Sequence, residues 1–196
     1  LAADIRGLLD ALGLKRVVLG GLSMGGYAAF AFYRLYAERV ATLILADTRA
    51  QSDTEEGRQG RYELAELAEK AGSAAVAERM LPKLLAPSTR ERQPAVVTAV
   101  REMILSTPPA GIARALRGMA VRPDSTELLP TIKCPTLVLV GQEDTLTPPA
   151  VAAAMAKKIP GAQLEVIPDA GHLVNLEQPI AFASAMHDFL ARAPAP

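Results

Sequence analysis

The sequence predicts an α/β fold, a mainly parallel sheet flanked by helices and interrupted by a helical cap insertion. Three observations carry this reading. Short apolar runs rich in β-branched residues alternate with helical periodicity near both ends of the chain. Those runs are continuous rather than alternating, as suits strands buried on both faces of a parallel sheet. Between about Arg49 and Arg122 the strand signal vanishes and charge becomes dense.

Leu1, Ile5, Leu8, Leu9 and Leu12 share one helical face, which closes at Gly13. No capping residue and no methionine opens this helix, so the chain reads as cut from a longer protein. Arg16 to Gly21 is a short strand, followed by a sharp turn and a helix from Met24 to Glu38. A second apolar run, Ala41 to Ala46, ends at Asp47-Thr48-Arg49. Three apolar stripes then recur at helical spacing: Leu64, Leu67, Ala68 and Ala71; Val96, Val97, Val100, Met103 and Ile104; and Ile112, Leu116 and Met119. Long connections in such folds usually serve the site, so residues 49–122 are expected to form three or four cap helices. The core comprises 1–48 and 123–196. It resumes with a strand at Cys134 to Gly141, a helix opened by Pro148-Pro149, a strand at Gln163 to Ile167 and a last helix carrying Phe182, Met186, Phe189 and Leu190.

Composition excludes several classes. Lysine plus arginine equals aspartate plus glutamate, 21 against 21 in 196 residues, so no excess charge steers the chain to nucleic acid or anionic membranes. No apolar run reaches the roughly twenty residues of a membrane span, and no secretory leader is visible. A soluble, cytoplasmic protein is expected. The single cysteine, Cys134, precedes Pro135 at an apolar run and reads as a buried structural thiol.

Gly21-Leu22-Ser23-Met24-Gly25 fits G-x-S-x-G and stands between a strand and a helix, where that motif has mechanical meaning. A serine on so tight a turn needs small neighbours; Gly21 and Gly25 supply them, and Gly26 allows close packing as the helix starts. The helix N-terminus offers free N–H groups, and that of Met24 can donate to an oxyanion. A serine hydroxyl also needs an imidazole base and a carboxylate to orient it. Of two histidines, His172 follows the last strand at the carboxyl edge of the sheet, whereas His187 lies inside the final helix beside its apolar stripe. Asp144 is the acid with the best setting, directly after a strand; Glu143 and Asp47 are its rivals. The chain order Ser, Asp, His agrees with this choice.

Gly20 to Gly26, Gly141-Gln142-Glu143-Asp144, and Ala170-Gly171-His172 with Asn175 and Glu177 together resemble the α/β-hydrolase superfamily, in its small esterase, enol-lactonase and cofactor-free haloperoxidase branch. The resemblance covers the whole chain. It implies a triad of Ser23, Asp144 and His172, acyl transfer to water through an acyl-serine, and no metal or organic cofactor. The implied substrate is a small carboxylic ester or lactone; peroxide in place of water, or ligand sensing on the same fold, are the alternatives. Leu81, Leu84, Leu85, Met103 and Ile104 are candidate pocket walls. The resemblance also implies a larger sheet than the four strands seen here, with an earlier segment supplying the second oxyanion donor. The isolated chain is therefore expected to be nearly inactive, and the strand at 16–20 to form an apolar edge open to pairing.

Overall fold

In the computed structural model, which describes residues 1–193, the helical and extended periods of the sequence become a four-stranded parallel sheet and nine α-helices among the described residues. The elements are α1 (Ala2–Ala11), β1 (Val17–Leu22), α2 (Met24–Tyr36), β2 (Val40–Ala46), α3 (Glu55–Leu84), α4 (Pro87–Arg92), α5 (Pro94–Ser106), α6 (Pro109–Ala120), β3 (Thr136–Gly141), α7 (Pro149–Lys158), β4 (Gln163–Ile167), α8 (Val174–Glu177) and α9 (Pro179–Leu190). The strands lie in chain order, β1-β2-β3-β4, and every pair is parallel.

Every residue of β2 and β3 is buried, and because successive side chains point to opposite covered faces their sequences are apolar apart from Thr42 and Thr136. Leu43, Leu45, Val138 and Val140 face one layer, with Phe30 and Phe32 of α2 and Met155 of α7. Ile44, Leu137 and Leu139 face the other, with Ile167 of β4 and Phe189 of α9. The outer strands β1 and β4 are less covered, and Val18 is partly exposed on the β1 edge. The α1 stripe is covered only in part: Leu9 is buried, Ala2 and Ile5 pack on the core, and Leu1, Leu8 and Leu12 stay exposed. Cys134 is half-buried against the same core rather than sealed within it.

Four helices, α3 to α6, occupy the stretch between β2 and β3. Pro87, Pro94 and Pro109 each sit in the first turn of their helix, where the missing N–H costs nothing. Helix α3 starts at a Thr54 cap whose Oγ1 accepts from Gly57 N–H at 3.2 Å. Its run is broken at Gly72, with φ 81° and ψ 177°, a conformation that favours glycine. That break ends the first stripe before Ala71, which is exposed, and begins a second buried stripe at Ser73, Val76, Ala77 and Leu81. Leu64 and Ala68 of the first half and Val76 of the second pack with Leu116 of α6, while Ala77 and Leu81 of the second half pack with Val100 of α5. No helix among the described residues is long and apolar enough to cross a membrane.

Candidate active site

The carboxyl ends of the strands carry unusual backbone. The non-glycine residues with positive φ among those described are Ser23, Asp47 and Asp169, which closely follow β1, β2 and β4. Such conformations cost about 1–3 kcal/mol each and persist where surrounding contacts enforce them. At Ser23, with φ 52° and ψ −113°, the enforcing contacts are explicit. Ser23 N–H donates to Ala46 C=O at 2.8 Å, and Thr48 Oγ1–H donates to Ser23 C=O at 2.8 Å. A Cβ at Gly21 would run into the Gly25 carbonyl and lie 2.6 Å from Gly26 N, and one at Gly26 would strike the Thr48 side chain. Gly25 differs from expectation: a Cβ there meets nothing within 4 Å, so the turn requires glycine at 21 and 26 but not, on steric grounds, at 25.

Ser23 Oγ lies 2.7 Å from His172 Nε2, and His172 Nδ1 lies 2.8 Å from Asp144 Oδ2. Asp144 is buried; desolvation alone would raise its pKa, but the hydrogen bond and charge of His172 and the bonds from Thr147 outweigh it and hold the carboxyl below its usual range. An ionised carboxylate only accepts, so Nδ1 carries the proton and Nε2 is free to accept from Ser23 Oγ–H. Asp144 is itself fixed by an Asx-type turn: Oδ1 accepts the N–H groups of Leu146 at 2.8 Å and Thr147 at 3.0 Å, and Oδ2 accepts Thr147 Oγ1–H at 2.5 Å.

The rivals are placed elsewhere. Asp47 is buried with its oxygens on Gly141 N–H at 2.9 Å and Val174 N–H at 3.3 Å, bracing the β3 end against α8. Desolvation pushes its pKa up to about 8, partly offset by the Gly141 N–H, with the Asp144 charge adding to the rise. Glu143 gives its N–H to Ala170 C=O at 2.8 Å. His187 is exposed in the last turn of α9, 3.4 Å from Asp188.

A model of the α/β hydrolase fold matches residues 1–179. The chain belongs to that family. Among relatives of this hydrolase, 3-oxoadipate enol-lactonase 1 of Acinetobacter baylyi is 30% identical over 190 residues, covering 97% of this chain and 70% of the relative. A thermophilic esterase from Thermogutta terrifontis, solved with malate bound, superposes with a TM-score of 0.94 at 52% identity, over 97% of this chain and 71% of that one. The enol-lactonase of Burkholderia xenovorans gives 0.89 at 32%, over 98% and 72%.

In this hydrolase Ser23 and His172 open into a cavity of about 380 Å³ between the sheet edge and α3, lined also by Met24, Tyr27, Arg49, Asp53 and Lys83. A neighbouring apolar cavity of about 440 Å³ shares Met24, Leu64, Met80, Leu84, Leu116 and Met119 with it. Of the candidate pocket walls, Leu84 lines both, and Met103 and Ile104 line the apolar one. Leu81 and Leu85 line neither; both are buried with Ala77 and Val100, on the side of the helix turned into its own core.

Two buried carboxylates fasten the ends of the helical insertion, and residue patterns left the role of each unread. Asp53, before α3, binds Arg49 Nη2 at 2.6 Å, both Nη atoms of Arg122 at 2.7 and 2.9 Å, and Arg61 through Nε and Nη2. Burial opposes its ionisation, but Arg122 and Arg61 hold the group well below the ordinary carboxylate range. Glu177, after the last strand, accepts from Gly171, Leu173 and Ala86 N–H, while His172 N–H donates to Leu84 C=O at 3.1 Å. The end of α3 and the His172 loop are therefore one hydrogen-bonded unit. The run Asp-Thr-Leu-Thr-Pro was a readable signal for Thr147; the links of Asp53 to Arg122 and of Glu177 to Ala86 lie too far along the chain for any local pattern.

Proposed function

We propose that Ser23 is the nucleophile of a hydrolase acting on small carboxylic esters or lactones. The observation that carries this reading is the continuous chain of hydrogen bonds from Ser23 Oγ through His172 to Asp144. Ser23 Oγ attacks the acyl carbon as its proton passes to His172 Nε2, and Asp144 stabilises the imidazolium. The N–H of Met24, first in α2 and so without an intrahelical acceptor, donates to the developing oxyanion. Collapse breaks the acyl–oxygen bond, the departing alkoxide takes the proton from Nε2, and water then repeats the sequence on the acyl-serine. Residues 49–122 act as a cap over this chemistry. The enol-lactonase and esterase likenesses favour an ester or lactone over other acyl donors.

The Met24 N–H is one backbone donor beside Ser23, a second is expected from a segment outside residues 1–196, and loss of one oxyanion donor lowers turnover by about a hundred- to a thousandfold. Slow turnover by residues 1–196 alone is part of this reading. Assay of purified protein against short-chain esters and lactones, with Ser23→Ala as control and hydrogen peroxide as competing acceptor, tests it. Slow hydrolysis lost in Ser23→Ala supports the reading. Peracid as the main product supports perhydrolysis, and tight ligand binding without any acyl-serine supports a sensor.

A further inference from the structure

Both backbone polar groups of Ser23 are held by the end of β2. Its N–H donates to Ala46 C=O at 2.8 Å, one bond beyond the parallel ladder of β1 and β2. Its C=O accepts Thr48 Oγ1–H at 2.8 Å and Gly26 N–H at 3.0 Å. The two gripping residues, Ala46 and Thr48, stand either side of Asp47, whose φ is 44°. That left-handed residue is braced in turn: its N–H donates to Leu139 C=O at 2.9 Å, and its carboxyl accepts from Gly141 and Val174 N–H.

Thr48 is buried, and its side chain fills the space that a Cβ at Gly26 would need. Its hydroxyl has one proton to give, and Ser23 C=O takes it. That carbonyl belongs to the same planar unit as the Met24 N–H, and in a trans peptide the two groups point in opposite directions. Whatever fixes the carbonyl therefore aims the N–H. The two bonds on the carbonyl differ in origin: the one from Gly26 comes with the first turn of α2, whereas the one from Thr48 ties that turn to a second strand. At Ser23 φ is 52°, a region unfavourable to a residue with a side chain, so the turn relaxes by rotating its peptide units unless outside contacts resist.

We propose that Thr48 is a positioning residue, whose hydroxyl fixes the Ser23–Met24 peptide so that the Met24 N–H meets the oxyanion formed when Ser23 attacks. Thr48 is absent from the cavity lining among the described residues, so it acts through that peptide and not on the substrate. The interaction it prepares is made only after attack, and ground-state binding does not depend on it. The inference rests on the hydrolase reading above, with Ser23 as nucleophile and Met24 as donor.

Thr48→Val keeps the shape and removes the donor; Thr48→Ser keeps the donor and removes the methyl group. Thr48→Ala removes the donor without adding a methyl group and takes the place of Val should that variant not fold. Two ligands separate oxyanion formation from binding. A butyl trifluoromethyl ketone adds Ser23 Oγ to its carbonyl carbon; the carbonyl π pair becomes the oxyanion and the serine proton passes to His172 Nε2. The alcohol made by reducing that ketone has the same outline and cannot add. Each is measured by its protection of Ser23 from a fluorophosphonate, with folding checked by circular dichroism.

In Thr48→Val the ketone is expected to protect about tenfold less well and the fluorophosphonate to react about tenfold more slowly, a fraction of what loss of a whole donor costs. Protection by the alcohol stays within about twofold of wild type. Thr48→Ser stays within about threefold of wild type in all three measurements, because the donor remains. A folded Thr48→Val that matches wild type overturns the proposal. Equal impairment of Thr48→Ser overturns it too and makes Thr48 a packing residue, as does equal weakening of ketone and alcohol, which reports a changed cavity. Absence of any Ser23 adduct in wild type sinks the hydrolase reading and the proposal together, whereas adducts indifferent to residue 48 sink the proposal alone.

Discussion

Glu177 brackets His172: one carboxylate oxygen accepts the N–H of Gly171 at 2.9 Å and of Leu173 at 3.1 Å, on either side of the imidazole-bearing residue. The other oxygen accepts Ala86 N–H at 2.7 Å, beyond the end of α3. A Cβ at Gly171 would stand 2.6 Å from that same Ala86 nitrogen, so the contact is as close as a backbone allows. Glu177 thus positions His172 and ties the helical insertion to it.

Replacement of Glu177 by Ala leaves three N–H groups without their acceptor. Destabilisation by about 3 kcal/mol or more is expected, read by urea unfolding. Glu177→Gln keeps one acceptor oxygen but turns an NH₂ toward a donor, and an intermediate loss is expected. Because His172 shifts with its loop, the folded Gln variant should also label more slowly with fluorophosphonate; unchanged labelling would confine Glu177 to stability.

Asp144→Asn removes the charge that holds the His172 tautomer while leaving the shape. A fall of about 10³- to 10⁴-fold in the labelling rate of Ser23 is expected, with the fold retained by circular dichroism. Asp47→Asn should leave labelling within about tenfold, since Asp47 braces Gly141 and Val174 rather than the imidazole.

Burial of Asp47 has a pH consequence. Its folded-state pKa, pushed up to about 8, lies above the ordinary value of 3.8, so the folded chain holds a proton that the unfolded chain releases between those limits. The associated stability is complete below about pH 4 and is lost as pH rises through 8. Unfolding free energy should therefore decline across pH 5–8 with a slope of at most about 1.4 kcal/mol per pH unit. Asp47→Asn should remove that component; parallel slopes in both proteins would mean that Asp47 is ionised when folded.

The elbow glycines give a steric contrast. Gly21→Ala forces Cβ into the Gly25–Gly26 backbone and is expected to cost at least about 2 kcal/mol. Gly25→Ala lies in open space at the start of α2, where alanine is the better helix former, and should be neutral or stabilising by up to about 1 kcal/mol. Equal losses at the two positions in thermal melts would contradict the geometry.

Much of this was legible because the signals were local. A strand, a glycine-flanked serine and a helix in direct succession announce the elbow, and the apolar runs of β2 and β3 announce strands covered on both faces. Ser23, Asp144 and His172 share a strand-end context that a parallel sheet converts into proximity. The stripes of the insertion were legible as helices, but not which face turned inward: Leu81 and Leu85 pack into the insertion, and Gly72 breaks what periodicity alone joins. The long-range links of Asp53 to Arg122 and of Glu177 to Ala86 were illegible because they span 69 and 91 residues.

The most direct test is intact-mass and peptide mapping after exposure of the purified protein to a fluorophosphonate. A single covalent event requires no turnover, so it reads the nucleophile even where turnover is slow. One adduct, on the peptide containing Ser23 and abolished by Ser23→Ala and by His172→Ala, is the expected result. An adduct on another residue, or labelling of Ser23 that persists at full rate without His172, would contradict the account.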